Sequence, residues 1–368
     1  MNGLRSPGSG LGRARRSSGI AVHCFIVPPE ILTNVAVNPD ATTAQRLRAI
    51  GDLLVSRDIR TQRRIVGALA RETVVPTGTK RRAVYDAQNE LSVHGVLRRG
   101  ENDPPARDEV VNRAYDYSGL TYDFFAELFE RTSIDDRGMR LDSTVHYGKD
   151  YANAFWNGTQ MVYGDGDGEL FGDFTQCIDI VAHEITHGVT QFEAGLEYQN
   201  QSGALNEHFS DVFGALVKQW AAGESAAAAD WLIGKGIFIE KEGVKRLAVR
   251  SMAEPGTAYD DPLIGTDPQV GHMSDYVRTR DDDGGVHINS GIPNRAFVLA
   301  ARSLGGNAWE VAGRIWYVVL RDRLRPTSRF QDCADQTCRL ARELYDDAVA
   351  GKIADAWKEV GIEPRGKS

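Results

Sequence analysis

Residues His183-Glu184-Ile185-Thr186-His187 decide the reading of this chain, together with Gly203-Ala204-Leu205-Asn206-Glu207-His208-Phe209-Ser210-Asp211 further on. On a helix, positions i and i+4 share one face, a turn apart. The spacing therefore predicts that His183 and His187 aim two imidazoles at one point. A catalytic zinc takes three protein ligands and keeps a fourth position open. Glu207 offers the third donor. Glu184, between the two His, stands where a general base for a metal-bound water belongs. Asp211 falls one helical turn beyond Glu207 and is placed to accept the free N–H of a ligating imidazole, and Asn206 is suited to similar work. The plain alternative is an amphipathic helix that carries two His, followed by a solvated acidic stripe. His is scarce, at 8 in 368 residues, and the order His, Glu, His, then Asn-Glu and Asp favours the metal.

A second cluster lies in Asp282-Asp283-Gly284-Gly285-Val286-His287-Ile288-Asn289-Ser290-Gly291. Glycines before His287 allow close backbone approach. Such a His can donate a hydrogen bond to a developing oxyanion. Asp282, five residues earlier across a Gly-Gly bend, is placed to orient the imidazole. The run Asp281–Asp283 alone reads as a solvated turn, so the weight rests on Asp282 and His287 together.

Around these clusters the chain divides in character. Its 368 residues favour more than one domain. The net charge of −8 is unevenly shared: residues 1–71 carry 11 Arg and 4 acids, or +7, which leaves −15 for the rest. A basic leading segment on an acidic body predicts association through their fields. Residues 1–18 are rich in Gly, Ser and Arg and read as disordered. Residues 19–35 read as a short strand and a turn at Pro28-Pro29. Residues 41–58 place Leu47, Ile50, Leu53 and Leu54 on one helical face. Residues 59–82 read as a basic, exposed linker open to proteolysis.

Short period-2 segments dominate from 83 to 168, interrupted by a helix over 106–129. Residues 153–168 read as a hairpin turning at Asn157-Gly158. After 190 helices are expected at 203–222, 290–304, 306–322, 335–350 and 351–360. No 18-residue apolar run predicts a membrane span. Nucleic-acid binding is not expected of an acidic body. Four cysteines are too few for a disulfide scaffold. Cys333 and Cys338 would lie on different faces of a helix and could pair only where it had not started.

His-Glu-Ile-Thr-His, then GALNE with Asp211, then GGVHINSG resemble the thermolysin-like zinc metallopeptidases, and NAFWNGTQMVYGDGDG looks like that family's substrate-edge hairpin. The likeness covers about residues 80–365. It implies an α+β, two-domain fold, β-rich then α-helical, with the zinc helix between them. The expected organisation is a basic propeptide at 1–75, a β-rich domain with the zinc helix at 76–190, and a helical domain at 191–368. It implies a zinc endopeptidase acting on peptides and proteins, with one catalytic zinc on His183, His187 and Glu207 and with Glu184 as general base. By the same resemblance Tyr198 and His287 would stabilise the oxyanion and Asp282 would orient His287. Arg250 would bind the carbonyl after the scissile bond, and Asn153, Ala154 and Trp156 would line the substrate edge. Phe171, Phe174, Ile180 and Val249 would form an apolar pocket after the cut, or else are ordinary core.

Three features set this chain apart within that resemblance. Lys218 stands where the family carries an acid of its double calcium site; an ammonium cannot coordinate Ca2+, so that site is not expected. Lys218 would instead answer Asp179. The loop 164–175 begins like an EF-hand but has Gln176 where the final Glu belongs, and reads as a turn. Third, Pro28, Pro29 and Leu32 resemble the short propeptide of the protealysin-like branch. That likeness implies a latent precursor whose own propeptide lies in the cleft. Cys24 or His23 could then approach the zinc, although a small buried apolar role for Cys24 is the stronger expectation. The family implies secretion, yet Gly19–Val27 is a poor signal peptide; a cytoplasmic enzyme is the alternative. Other classes weighed are a non-catalytic zinc-binding or adhesion protein and an aminopeptidase, which would need a site for a free amino terminus.

Overall fold

The computed structural model describes residues 24–66 and 79–365. Strand β1 (Cys24–Phe25) is followed by helices α1 (Pro29–Val37) and α2 (Thr43–Val66). Then come β2 (Arg82–Asp86), β3 (Val96–Gly100), α3 (Glu109–Phe129), β4 (Leu141–Val145), β5 (Ala154–Trp156) and β6 (Met161–Tyr163). These strands form one mixed sheet in the order β1-β5-β6-β4-β2-β3. β2, β4 and β6 run parallel, while β1, β5 and β3 are antiparallel to their neighbours. The outer edge of β5 is thus covered by a strand from the N-terminal segment. An edge strand offers unpaired N–H and C=O groups to any extended peptide.

The remaining helices are α4 (Ile178–Phe192), α5 (Asn200–Ala222), α6 (Asp282–Asn289), α7 (Gly291–Leu304), α8 (Ala312–Val318), α9 (Phe330–Leu344) and α10 (Asp347–Glu359). Every residue of α4 from Asp179 to Thr190 is buried, polar and apolar alike. A helix of that kind belongs in the middle of a protein. α5 packs against it at unusually short range. A Cβ at Gly214 would stand 2.7 Å from the Asp179 carbonyl oxygen, so only Gly permits the approach. That contact sets Glu207 and Asp211 beside His183 and His187.

Several local expectations need correction. α2 forms, but of the expected face Leu47, Ile50 and Leu54 are exposed and Leu53 alone packs on the core; Ala49, Asp52, Val55, Ser56 and Ile59 complete the docking face. Polar groups join this apolar contact: Asp52 accepts a hydrogen bond from the Ala152 N–H at 3.2 Å. Pro28-Pro29 is the start of α1 rather than a free turn, since Pro suits a first helical position. The β5–β6 turn centres on Gly158-Thr159, one residue later than expected: Asn157 N–H donates to the Gln160 carbonyl, and Gly158 has φ of 93°. The expected break at Gly351 falls at Tyr345, because Asp346 caps α10 through the Val349 N–H. Cys333 and Cys338 both lie within α9 and are free. The first two carboxylates of the 164–175 loop are engaged, Asp165 with His146 and Asp167 with three backbone N–H groups, as a turn requires. Among the described residues no helix is long and apolar enough to cross a membrane.

Candidate active site

α4 and α5 bring His183, His187 and Glu207 to one point, with a ligand atom of each within 4.8 Å of the others. All three are fully buried. Their outer atoms are held firmly. Asp211 Oδ1 lies 2.9 Å from His183 Nδ1. Asn206 Oδ1 and Ser210 Oγ lie 2.8 and 2.9 Å from His187 Nδ1. These acceptors assign the proton to Nδ1 on both rings. Both Nε2 atoms then carry lone pairs, yet they face each other at 2.8 Å. Two lone pairs at that distance repel, and a cation between them relieves the repulsion. Burial and the facing His183 also push the His187 pKa well below its ordinary value, which keeps its imidazole neutral and able to ligate. Glu207 Oε2 is buried without a hydrogen-bond partner among the described residues. Two imidazoles and a carboxylate of this kind suit zinc. Glu184, between the two His on α4, is buried as well.

Asp211 is the hinge of the arrangement. It also receives Arg250 Nε at 2.9 Å, Arg250 Nη2 at 2.8 Å and Asn294 Nδ2 at 2.9 Å. Burial raises the Asp211 pKa, but Arg250 and His183 outweigh it and hold the carboxyl far below the usual carboxylate range. Tyr198 donates to Glu207 Oε1, and its hydroxyl is 3.2 Å from His287 Nε2. His287 Nδ1 lies 2.5 Å from Asp282 Oδ1, while Asp282 Oδ2 accepts the His287 backbone N–H at 2.7 Å. Asp282 reaches back through four successive left-handed residues, Asp282 to Gly285. Non-glycine residues in that region cost about 1 kcal/mol each, so this bend is held by what it positions. Burial lowers the His287 pKa, but Asp282 and Glu207 outweigh it and raise it to about 9.

The N-terminal segment lies across this cluster. Ile26 N–H donates to the Ala154 carbonyl at 3.2 Å. Val27 N–H donates to Asn153 Oδ1 at 3.0 Å. Arg250 Nη1 donates to the Ile26 carbonyl at 2.9 Å, and His287 Nε2 lies 2.9 Å from the Phe25 carbonyl oxygen. Ile26 and Val27 join the same buried cluster as Phe171, Phe174, Ile180 and Val249. Trp156 offers only its backbone to the edge: its ring is buried and its indole N–H is held by Gln191 at 2.9 Å. His23 and the Cys24 side chain lie outside the described residues.

Lys218 Nζ stands 3.1 Å from Asp179 Oδ2 and 3.0 Å from Asp230 Oδ1, and it donates to the Leu232 carbonyl. Sequence reasoning named Asp179 as its partner but missed Asp230. Ser210 and Asn294 were also missed. Ser210 precedes Asp211 and could have been read as a second partner for His187. Asn294 becomes visible only once α7 is folded against α5.

Comparison with known proteins agrees with this geometry. Residues 76–191 match the thermolysin metallopeptidase catalytic domain, and 194–362 match its alpha-helical domain. An extracellular metalloprotease of Pectobacterium carotovorum subsp. carotovorum is 47% identical over 349 residues, covering 93% of this chain and 97% of that protein. Protease PrtS of Photorhabdus sp. (strain Az29) is 45% identical over 345 residues, covering 92% of each. The structure of the precursor of protealysin, a metalloproteinase from Serratia proteamaculans, matches with a TM-score of 0.82 and 46% identity, over 92% of this chain and 99% of that one. With both domains matched and the buried His183–His187–Glu207 cluster formed, the chain belongs to the thermolysin metallopeptidase family and is a zinc metalloendopeptidase.

Proposed function

We propose that this chain is made as a latent endopeptidase precursor whose propeptide, residues 1–75, fills the substrate cleft of a catalytic unit formed by 76–190 and 191–368. One observation carries this reading. The backbone of residues 25–27 takes up the hydrogen-bonding groups of Asn153, Ala154, Arg250 and His287 together. A peptide substrate laid along β5 needs the same four groups, so strap and substrate exclude each other.

His183, His187 and Glu207 would hold the zinc, which when bound polarises a peptide carbonyl and makes its bound water acidic enough to attack near neutral pH. Glu184 takes a proton from the attacking water and later passes one to the leaving amine. His287, kept cationic and fixed by Asp282, donates with Tyr198 to the developing oxyanion. Arg250 holds the carbonyl after the scissile bond while Asp211 holds Arg250. The pocket around Ile26 favours a bulky apolar residue after the cut. The Lys218 ammonium answers Asp179 and Asp230, which leaves no role there for calcium. The relative from Pectobacterium is named extracellular, and we infer action outside the cell for this chain as well.

The test is a time course of casein hydrolysis by full-length protein beside a sizing gel. Activity should rise as the chain shortens by about the length of the propeptide. Full activity in an intact chain contradicts latency.

A further inference from the structure

The strap does more than cover the cleft, and its register singles out one of its own bonds. Hydrogen bonds number the strap residue by residue. Ile26 gives its N–H to the Ala154 carbonyl and its carbonyl to Arg250. Val27 gives its N–H to Asn153. Phe25 turns its carbonyl oxygen to His287 Nε2, whose neighbour within 3.6 Å is Glu207 Oε2. The group that His287 and Tyr198 would stabilise during hydrolysis is thus the Phe25 carbonyl. The side chains agree with the backbone: Ile26 is fully buried, and the Phe25 ring packs on Phe155 with centroids 5.4 Å apart.

We infer that the Phe25–Ile26 peptide bond is seated as a scissile bond and that the enzyme cleaves it in its own chain. This inference rests on the endopeptidase reading above. One water is consumed: its oxygen joins the Phe25 carbonyl carbon, the C–N bond breaks, and the Ile26 nitrogen leaves as an amine. The new carboxylate and amine account for all atoms, and no oxidant or reductant is needed.

The cut does not by itself empty the cleft. Asn34 Nδ2 donates to the Ile264 carbonyl at 2.8 Å, and Asn38 Nδ2 donates to the Pro262 carbonyl at 2.6 Å. Ser56 lies 3.3 Å from the Tyr151 hydroxyl. These anchors all lie after residue 26, so the piece beginning at Ile26 remains docked as a held product until the chain is cut again further on.

Full-length zinc-loaded protein, followed by intact mass and N-terminal sequencing, tests this. A chain beginning at Ile26 should form at a rate independent of protein concentration. It should be absent from Glu184→Gln and slowed roughly 100-fold in Ile26→Asp, where a charge replaces the apolar occupant of a hydrophobic pocket. A blocked peptide of residues 20–32, given to the casein-active enzyme, keeps the test open if that variant does not fold; cleavage between Phe25 and Ile26 is expected. A readout free of turnover is amide hydrogen exchange in Glu184→Gln, where the Ile26 and Val27 N–H groups should be protected. Casein hydrolysis without a chain beginning at Ile26 and without cleavage of the peptide at that bond overturns the inference and leaves the endopeptidase reading intact. Unprotected Ile26 and Val27 amides overturn it as well. A zinc-loaded chain that cleaves nothing, even after nicking between residues 67 and 78, overturns both.

Discussion

The two sides of the cleft are built from different physics. The metal side is built on interlocked charges: buried Asp211 serves His183, Arg250 and Asn294 at once, and partly exposed Lys218 serves Asp179 and Asp230. The strap side is mostly neutral. Its anchors are backbone pairing to β5 and side-chain amides donating to carbonyls at 262–264. The ion pair found there, Arg48 with Glu169 at 2.6 Å, is partly exposed and worth little in water. A buried charge network fails as a unit when one member is removed, whereas neutral contacts are lost one at a time. On the proposed reading, the first side is permanent and the second comes away.

The largest loss of stability is expected at Lys218→Ala. It leaves Asp179, 2% exposed, without a counter-charge and held only by the Ile180 and Gly234 N–H groups, a loss of about 2 kcal/mol or more. A thermal melt of the variant checks this, and a melt unchanged from wild type would show that the charges on this side are not interlocked. His287→Ala should lower kcat of the processed enzyme by roughly 100-fold or more, as for loss of one oxyanion donor. Zinc content measured alongside should be unchanged.

A pH series sharpens the contrast on the strap side. Burial raises the Asp52 carboxyl from 3.8 to about 7, against the backbone N–H of Ala152 and the Arg48 charge, while Asp167 and Asp150 add to the rise. The docked strap therefore binds a proton that the released strap does not. Docking is strongest at and below about pH 4 and weakens as pH rises through about 7. Hydrogen exchange of α2 against pH should show this slope, and Asp52→Asn should flatten it. The smallest change is Asn34→Ala, which removes one amide-to-carbonyl bond and costs about 1 kcal/mol of docking. Faster activation without a change in the processed enzyme is the expected reading.

The metal side was legible in the sequence because its chemistry is local. His183, Glu184 and His187 are ordered by one helical turn, and Glu207 and Asp211 by another. Asp282 and His287 are five residues apart. What stayed hidden depended on distant packing. Asn294 meets Asp211 across 83 residues, and no periodicity reports that. The docking face of α2 was only partly legible from spacing: Leu53 packs on the core, but Leu47, Ile50 and Leu54 face solvent and Ala49, Asp52 and Ser56 are buried in their place. The turn at Gly158-Thr159 and the break at Tyr345 were each displaced because a side-chain cap, from Asn157 or Asp346, decided the geometry.

In the proposed mechanism Glu184 moves the proton in a zinc site that it does not help to build. Glu184→Gln, measured beside wild type for zinc content and for hydrolysis of a blocked peptide with Leu or Phe after the scissile bond, tests it most directly. One zinc per chain in both proteins and a loss of turnover of about 10,000-fold in the variant are expected. Turnover within about tenfold of wild type in a zinc-loaded Glu184→Gln protein would contradict it.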